Sequence, residues 1–496
     1  MGAEIDRTEF SSADFERFRQ RLREGLEQLD LFLKPPHAGE GPASFGAELE
    51  LYIIDADGQP MPINRQLALQ CADANLSLEL NRFNIEYNFP PIHNSSTPFR
   101  DLRQQMDEAL GRINSIAGQL EARIVPIGIL PTLRMCHMGE AAITDSPRYR
   151  VLADSLRKQR GEDFSINISG PNSLQMRWQE ITLEGANTSF QYHYRVSPAN
   201  FTDTYNAAQL VSPLLVALGA NSPLFLGHRL WHETRVALFK QSIDPRTQTP
   251  LHRSQPSRVY FGHRWVQHGI IELFEEGVSL FPPLLPIVQD ESPAAPDHHS
   301  GPSLAELRLH QGSIWSWNRP LYDPADGGHL RIELRALPAG PTSQDMAALA
   351  AFAIGLIEGI RPQMPRITES MPFSTCEQNF YRAAREGIAT RLVWPDLKRS
   401  TLKETNLPDL IETLLPTARE GLRRIEVDEE EIEQQMELVR RTSQAQTNGA
   451  LWQLTSYQRL SARYKPAAAL SALVETYYQR QQSGLPVCQW RLADEG

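Results

Sequence analysis

The chain has 496 residues, enough for one large enzyme domain or up to about three modules. Apolar residues make up 41 % and charged residues 22 %, so a packed globular fold is the expectation and disorder is not. A net charge of −11 argues against a general nucleic-acid binder, which presents a basic surface, but leaves room for a nucleotide whose phosphates are carried in by metal ions.

From the N-terminus, Met1 to Asp14 carries charges and lacks the apolar run of a signal peptide. Phe15, Phe18, Leu22, Leu26 and Leu29 recur at helical spacing and predict a helix over Asp14–Leu33. The Pro- and Gly-bearing linker Lys34–Ser44 ends it, and residues 1–44 are expected to form an N-terminal helix and linker. A strand follows at Phe45–Ile54, turned by Asp55-Ala56-Asp57-Gly58, and a second at Asn81–Phe89, closed by Pro90-Pro91. Pro98–Leu120 reads as a helix, Arg123–Ile129 as strand-like, and Glu162–Val196 as extended. Asn200–Leu218 is a long helix, mostly apolar on one face, and the longest apolar stretches, such as Leu210–Leu218, fall well short of the roughly 20 residues of a membrane span. Gln241–Tyr260 resembles an active-site loop, and Leu280–Pro302 a proline-rich surface excursion in which His298-His299 reads as an exposed pair. His329–Leu337 is a further strand. From Ser343 on the period is helical, including Met346–Ile360, Leu407–Leu422 and Asp428–Val439, the last opening on the solvated run Glu429-Glu430-Glu431. Separated strands followed by a helical C-terminal third indicate an α+β architecture. The cysteines Cys71, Cys136, Cys376 and Cys488 form no C-x-x-C pair and fit free thiols in a reducing cytosol, so a cytoplasmic protein is expected.

Alternation carries the functional signal. Successive strand side chains point to opposite faces. In the first strand Phe45, Ala47, Leu49, Leu51 and Ile53 oppose Glu48 and Glu50. In the second, Phe83, Ile85, Tyr87 and Phe89 oppose Asn84, Glu86 and Asn88. In Ser189–Val196, Phe190, Tyr192, Tyr194 and Val196 oppose Ser189, Gln191, His193 and Arg195. In the last, Leu330, Ile332 and Leu334 oppose His329, Arg331, Glu333 and Arg335. A half-wet antiparallel sheet explains the alternation but not the residue types. Carboxylates on adjacent positions repel unless something positive lies among them, and hard divalent cations that bridge carboxylates to phosphates meet that need. Arg335, on the face of Glu333, has the planar fork that suits a phosphate oxygen. No G-x-x-x-x-G-K-S/T and no strand-borne G-x-G-x-x-G is present, so metals and arginines, not a glycine-rich loop, are expected to hold the phosphates.

Five segments resemble glutamate–cysteine ligases of the plant and proteobacterial type, in the glutamine synthetase superfamily. They are Phe45-Gly46-Ala47-Glu48-Leu49-Glu50, Asn84-Ile85-Glu86-Tyr87-Asn88, Thr188-Ser189-Phe190-Gln191-Tyr192-His193, Asn221-Ser222-Pro223-Leu224-Phe225-Leu226-Gly227 and Arg331-Ile332-Glu333-Leu334-Arg335. They occur in the family's order over roughly residues 40 to 360. The resemblance implies a curved antiparallel sheet as active-site floor, with ATP and Mg²⁺ on it (Mn²⁺ as an alternative ion), and an acyl-phosphate intermediate. It implies that Glu48, Glu50, Glu86 and Glu333 ligate metal, that His193 is a ligand or nucleotide-site residue with Gln191 beside it, that Arg235 contacts substrate or phosphate, and that Arg335 binds the transferred phosphoryl group. Residues 45–360 would be the catalytic core and 361–496 a helical region packed on it. The implied reaction joins glutamate to cysteine, the first step of glutathione synthesis, with small-molecule partners only and neither nucleic acid nor membrane. The chain departs from the family at Ala237-Leu238-Phe239, where a Trp is common, and in the 280–302 insertion, so a different amine stays open as acceptor. A metal-dependent hydrolase or a non-catalytic nucleotide-binding protein is the reading from another class. Asp203 and Asp244 are candidates for the base that deprotonates the amine, by proximity to the motifs alone.

Overall fold

Seven strands build the central sheet: β1 (Ser44–Ile54), β2 (Leu76–Leu78), β3 (Asn84–His93), β4 (Arg123–Val125), β5 (Phe190–Val196), β6 (Asn318–Asp323) and β7 (His329–Leu334). The order is β6-β7-β5-β1-β3-β2, with β4 on the C-terminal end of β1, and every pairing is antiparallel. The computed structural model describes residues 9–247, 249, 255–289, 301–396, 399 and 401–493. His298-His299, part of the 241–260 loop and residues 290–300 of the 280–302 excursion lie outside them.

The apolar residues of β1, Phe45, Ala47, Leu49, Leu51 and Ile53, are all buried on one face. The face is covered by helices: Phe45 meets Phe99 of helix Pro98–Gln119 at 5.9 Å between ring centroids, and Tyr194 donates to Glu358 of helix Ser343–Ile360 at 3.0 Å. That second helix is apolar all round and is the centre of the helical layer, packed by helices Phe201–Gly219, Leu407–Arg424 and Glu429–Ala445. By length and composition Ser343–Ser370 could cross a bilayer, but 94 % of its most apolar window is buried inside the fold. One cluster of buried apolar side chains runs from Phe18 to Val439, on both sides of residue 360.

Several expectations need correction. Pro90-Pro91 do not close the second strand; β3 continues to His93. The register shifts between Phe45 and Ala47, so both prolines stand opposite Gly46 in a bulge, where their missing N–H groups do not break the ladder. The extended stretch 162–196 is a hairpin, Phe164–Ser169 with Ser173–Trp178, then a 3₁₀ segment Ile181–Ala186, before β5 begins. Only Arg123–Val125 of the 123–129 stretch pairs as strand. The C-terminal third is interrupted by a hairpin, Arg391–Asp396 with Thr401–Asn406. The first helix starts at Ser12, where Ser11 and Asp14 form a reciprocal capping box.

Candidate active site

Register brings the polar residues of β1, β3, β5 and β7 onto the uncovered face. Glu50 stands opposite Glu86, Glu48 opposite Gln191, and His193 opposite both Gly46 and Glu333. The four carboxylates do not form a single knot. They resolve into two clusters: Glu48, His193 and Glu333 in one, and Glu50, Glu86 and Glu79 in the other, each with ligand-capable atoms within 4.8 Å of one another.

In the first cluster His193 Nε2 lies 3.3 Å from a Glu48 oxygen and 3.6 Å from a Glu333 oxygen. Burial favours protonation of Glu48, but the facing imidazole outweighs it and holds the carboxyl down at about 2. Glu333 is fully buried, and Arg319, Arg335 and His193 overcome that burial and push it well below the usual carboxylate range. Arg319, directly across from Glu333 in β6, grips it with two hydrogen bonds, one of them 2.9 Å. A carboxylate offers about four lone-pair sites, so this grip leaves room for a further partner.

In the second cluster burial, with Glu48 and Glu50 adding repulsion, raises Glu86 to about 8. Burial and its acidic neighbours push Glu79 well above its ordinary value, and burial lifts Glu50 despite Arg335 and Arg235. Asn88 Nδ2 and Ser77 Oγ donate to Glu86 at 2.9 and 3.2 Å; Ser189 N–H and Gln191 Nε2 donate to Glu50 at 2.6 and 3.0 Å. The other end of the Gln191 amide accepts from Arg335, whose Nη1 also reaches Glu333 at 3.2 Å. Gln191 and Arg335 thus link the two clusters.

These residues fit a divalent cation on two observations. Both ring nitrogens of buried His193 lack a hydrogen bond, although a buried imidazole ordinarily has one. Among the described residues, Glu50, Glu79 and Glu86 crowd three carboxylates into one cluster, an all-oxygen donor set of the kind Mg²⁺ takes.

Beside Glu50 and Arg335 an open cavity of about 320 Å³ is lined also by Glu184, Asn187, Arg235 and Trp317. Burial, reinforced by Glu50, raises Glu184 to about 8. Arg235 is held by Glu233, at 3.2 Å, a carboxylate with no solvent exposure. The Asn-Ser-Pro loop satisfies that carboxylate in turn: Asn221 N–H donates to it at 2.9 Å and Ser222 Oγ at 2.6 Å. The loop therefore acts on the cavity through Glu233 and Arg235.

Neither base candidate is among the residues of the two clusters or of the cavity wall. Asp244 is held by Arg246 through two hydrogen bonds of 2.8 and 2.9 Å. Asp203, in the first turn of helix Phe201–Gly219, has Arg361 of the helical layer as its charged neighbour. Sequence reading missed Glu79, Glu184, Glu233 and Arg319. Glu79 follows a three-residue strand and Glu184 sits in a 3₁₀ segment, too short for a period to register. Arg319 was findable, since Asn318, Pro320 and Tyr322 alternate with it in burial along β6.

A protein provisionally named glutamate–cysteine ligase 2-2 from Mycolicibacterium vanbaalenii is 24 % identical over 209 residues, 41 % of this chain and 49 % of its own length. A similarly named 2-3 protein from Paenarthrobacter aurescens is 26 % identical over 41 % of this chain and 42 % of its own. The chain thus spans under half the length of the curated relatives it matches. The solved structure of a glutamate–cysteine ligase from Francisella tularensis in complex with AMP shares the fold, with a TM-score of 0.53 and 12 % identity over 90 % of both chains. Residues 44–453 match the model of glutamate-cysteine ligase family 2, and the chain belongs to that family.

Proposed function

We propose that this protein is an ATP-dependent carboxylate–amine ligase that activates the γ-carboxylate of glutamate as an acyl phosphate and passes it to an amine, with cysteine as the first candidate. The observation that carries the reading is the pairing of two acidic clusters on one sheet face with Arg335 and Gln191 between them. Catalysis is assigned to residues 45–360, with 361–496 buttressing them from the helical side.

A carboxylate does not acylate an amine in water without activation. Transfer of the γ-phosphoryl group of ATP forms the carboxyl–phosphate bond and breaks the bond to ADP; attack by the amine then forms the amide and expels phosphate. Mg²⁺ at the two clusters, held by Glu48, His193 and Glu333 and by Glu50, Glu79 and Glu86, would neutralise phosphate charge. Arg335 is suited to donate to the equatorial oxygens of the moving phosphoryl group, and its tie to Gln191 keeps the guanidinium oriented before charge develops. Arg319 holds Glu333 ionised under the site. The carboxyl groups of the second cluster, uncharged while protonated, must lose their protons for a cation to bind.

Hydroxylamine tests this directly. With glutamate, ATP and Mg²⁺ it should intercept the acyl phosphate as a hydroxamate, whatever the true amine. With cysteine present, γ-glutamylcysteine and ADP should form in equal amounts. Hydroxamate without cysteine ligation moves the function to another amine; no hydroxamate with any amino acid, despite ATP binding, overturns the ligase reading.

A further inference from the structure

We propose that Gln453 and Tyr477, in the C-terminal helices, are positioning residues for Arg235. They fix Asn221, and Asn221 passes the constraint through Glu233 to the guanidinium on the cavity wall. That Arg235 meets a substrate rests on the ligase reading; how it is held does not.

Helix Gly449–Ser461 begins where helix Phe201–Gly219 ends. Ala450 N–H donates to the carbonyl of Ala220 at 2.8 Å, and Asn448 Nδ2 to that of Ala217 at 3.0 Å. Unpaired N–H groups at one helix start thus meet unpaired carbonyls at the other's end, which anchors the junction. Gly449 permits the approach, since a Cβ there would lie 2.0 Å from Asn221 Oδ1. One turn on, Gln453 Nε2 donates to Asn221 Oδ1 at 2.8 Å and to its backbone carbonyl at 3.1 Å. Asn221 Nδ2 donates to Tyr477 Oη and to the Ala339 carbonyl, both at 2.8 Å, and Tyr477 donates onward to the Pro126 carbonyl at 3.2 Å. The Tyr477 ring is fixed edge-on by Trp452 and Trp490. With its N–H on Glu233, every polar group of Asn221 is engaged. Asn221, Glu233, Gln453 and Tyr477 are all shut off from solvent, and a buried network satisfied this fully is rigid. Arg235 depends on it: its contact with Glu233 is 3.2 Å, whereas its bonds to the carbonyls of Ala336 and Arg335 stretch to 3.4 and 3.5 Å. The family match ends at residue 453, so Tyr477 is an anchor outside the matched residues.

The test uses the full chain in the hydroxamate assay. Arg235→Lys first identifies the constant, kcat or the KM of glutamate or ATP, through which Arg235 acts. Tyr477→Phe, which deletes one hydroxyl and keeps the ring, and Gln453→Leu should each worsen that same constant by ~3- to 10-fold, the effect of one lost hydrogen bond, and leave the others nearly unchanged. In the Arg235→Lys background either change should cost less than ~2-fold, because the group being positioned is already gone. Leu460→Ala, buried in the same helix as Gln453 but without a polar group, should lower Tm and leave that constant alone. Equal losses in the wild-type and Arg235→Lys backgrounds overturn the proposal, and so does the same kinetic loss in Leu460→Ala. Should Gln453→Leu fail to fold, Tyr477→Phe decides alone. If the wild type yields no hydroxamate the ligase reading is lost, and if Arg235→Lys changes no constant Arg235 meets no substrate. In either case crystal structures of the wild type and Tyr477→Phe still decide how Arg235 is held: a displaced or doubled Glu233–Arg235 pair in the variant supports the proposal, and an unchanged pair overturns it.

Discussion

Arg335 meets Gln191 and Glu333 by contact, with the charges of Glu50 and Glu48 near by. Its Nη1 meets both Glu333 and Gln191, which in turn donates to Glu50, on a planar fork whose geometry an ammonium on a flexible stem does not reproduce. Arg335→Lys is expected to lower kcat by ~10²–10³-fold, the usual loss when a donor to a developing negative charge is removed, with a far smaller change in ATP affinity. Single-turnover acyl-phosphate formation measures this, and a near-normal rate would remove Arg335 from the transition state. Glu233 belongs to the same scale but acts at one remove. It touches no part of the open face, yet it ties the Asn221-Ser222 loop to Arg235.

At the scale of elements, the helical layer works because glycine lets two helices touch backbone to backbone. A Cβ at Gly421, in helix Leu407–Arg424, would lie 1.9 Å from the carbonyl oxygen of Gly355 and 2.5 Å from the amide nitrogen of Gly359, both in helix Ser343–Ile360. Neither atom is the flexible end of a side chain, so the helices themselves must separate. Gly421→Ala should therefore destabilise the protein by about 3 kcal/mol, the upper part of the range for overpacking, visible as a lower denaturation midpoint in urea. Because helix Ser343–Ile360 also carries Glu358, which accepts from Tyr194 on the back of β5, loosening this crossing should disturb the sheet as well. A full-stability Gly421→Ala protein would show that the crossing does not clamp the two helices.

For the whole molecule, the charge pattern of the face couples cation binding to protons. The Glu86 carboxyl, raised to about 8 from an ordinary 4.5 by burial and by Glu48 and Glu50, binds its proton more tightly folded than unfolded. Its contribution to stability in the cation-free protein is complete below about pH 4.5 and is lost as pH rises through about 8. Mg²⁺ or Mn²⁺ at the second cluster requires the deprotonated form. Cation affinity should therefore climb between about pH 6 and pH 9, and binding near neutral pH should release protons. Calorimetry in buffers of different ionisation enthalpy counts them; a pH-independent affinity with no proton release would separate Glu86 from the cation site. Saturating cation should also raise the midpoint of thermal unfolding, since it binds the folded protein only.

Strand identity and side-chain face were legible in the linear order of residues, because a period of two is a local property. Phe45 to Ile54 alternates whatever it pairs with, and so do Phe190 to Val196 and His329 to Leu334; hence Glu48, Glu50, Glu86, His193, Glu333 and Arg335 could be named before any coordinate. The buried period of helix Ser343–Ile360 was legible for the same reason. What local pattern cannot carry is register and the company kept across it. The tertiary structure alone decided that the carboxylates divide into two clusters, that Pro90-Pro91 ride a bulge opposite Gly46, and that Arg319 grips Glu333. It alone delivered Glu79, Glu184 and Glu233 from short segments to the face or to its supports. Those residues lie far apart in the chain or in pieces too brief to show a period, so only the pairing of strands and the packing of helices behind them could bring their charges together.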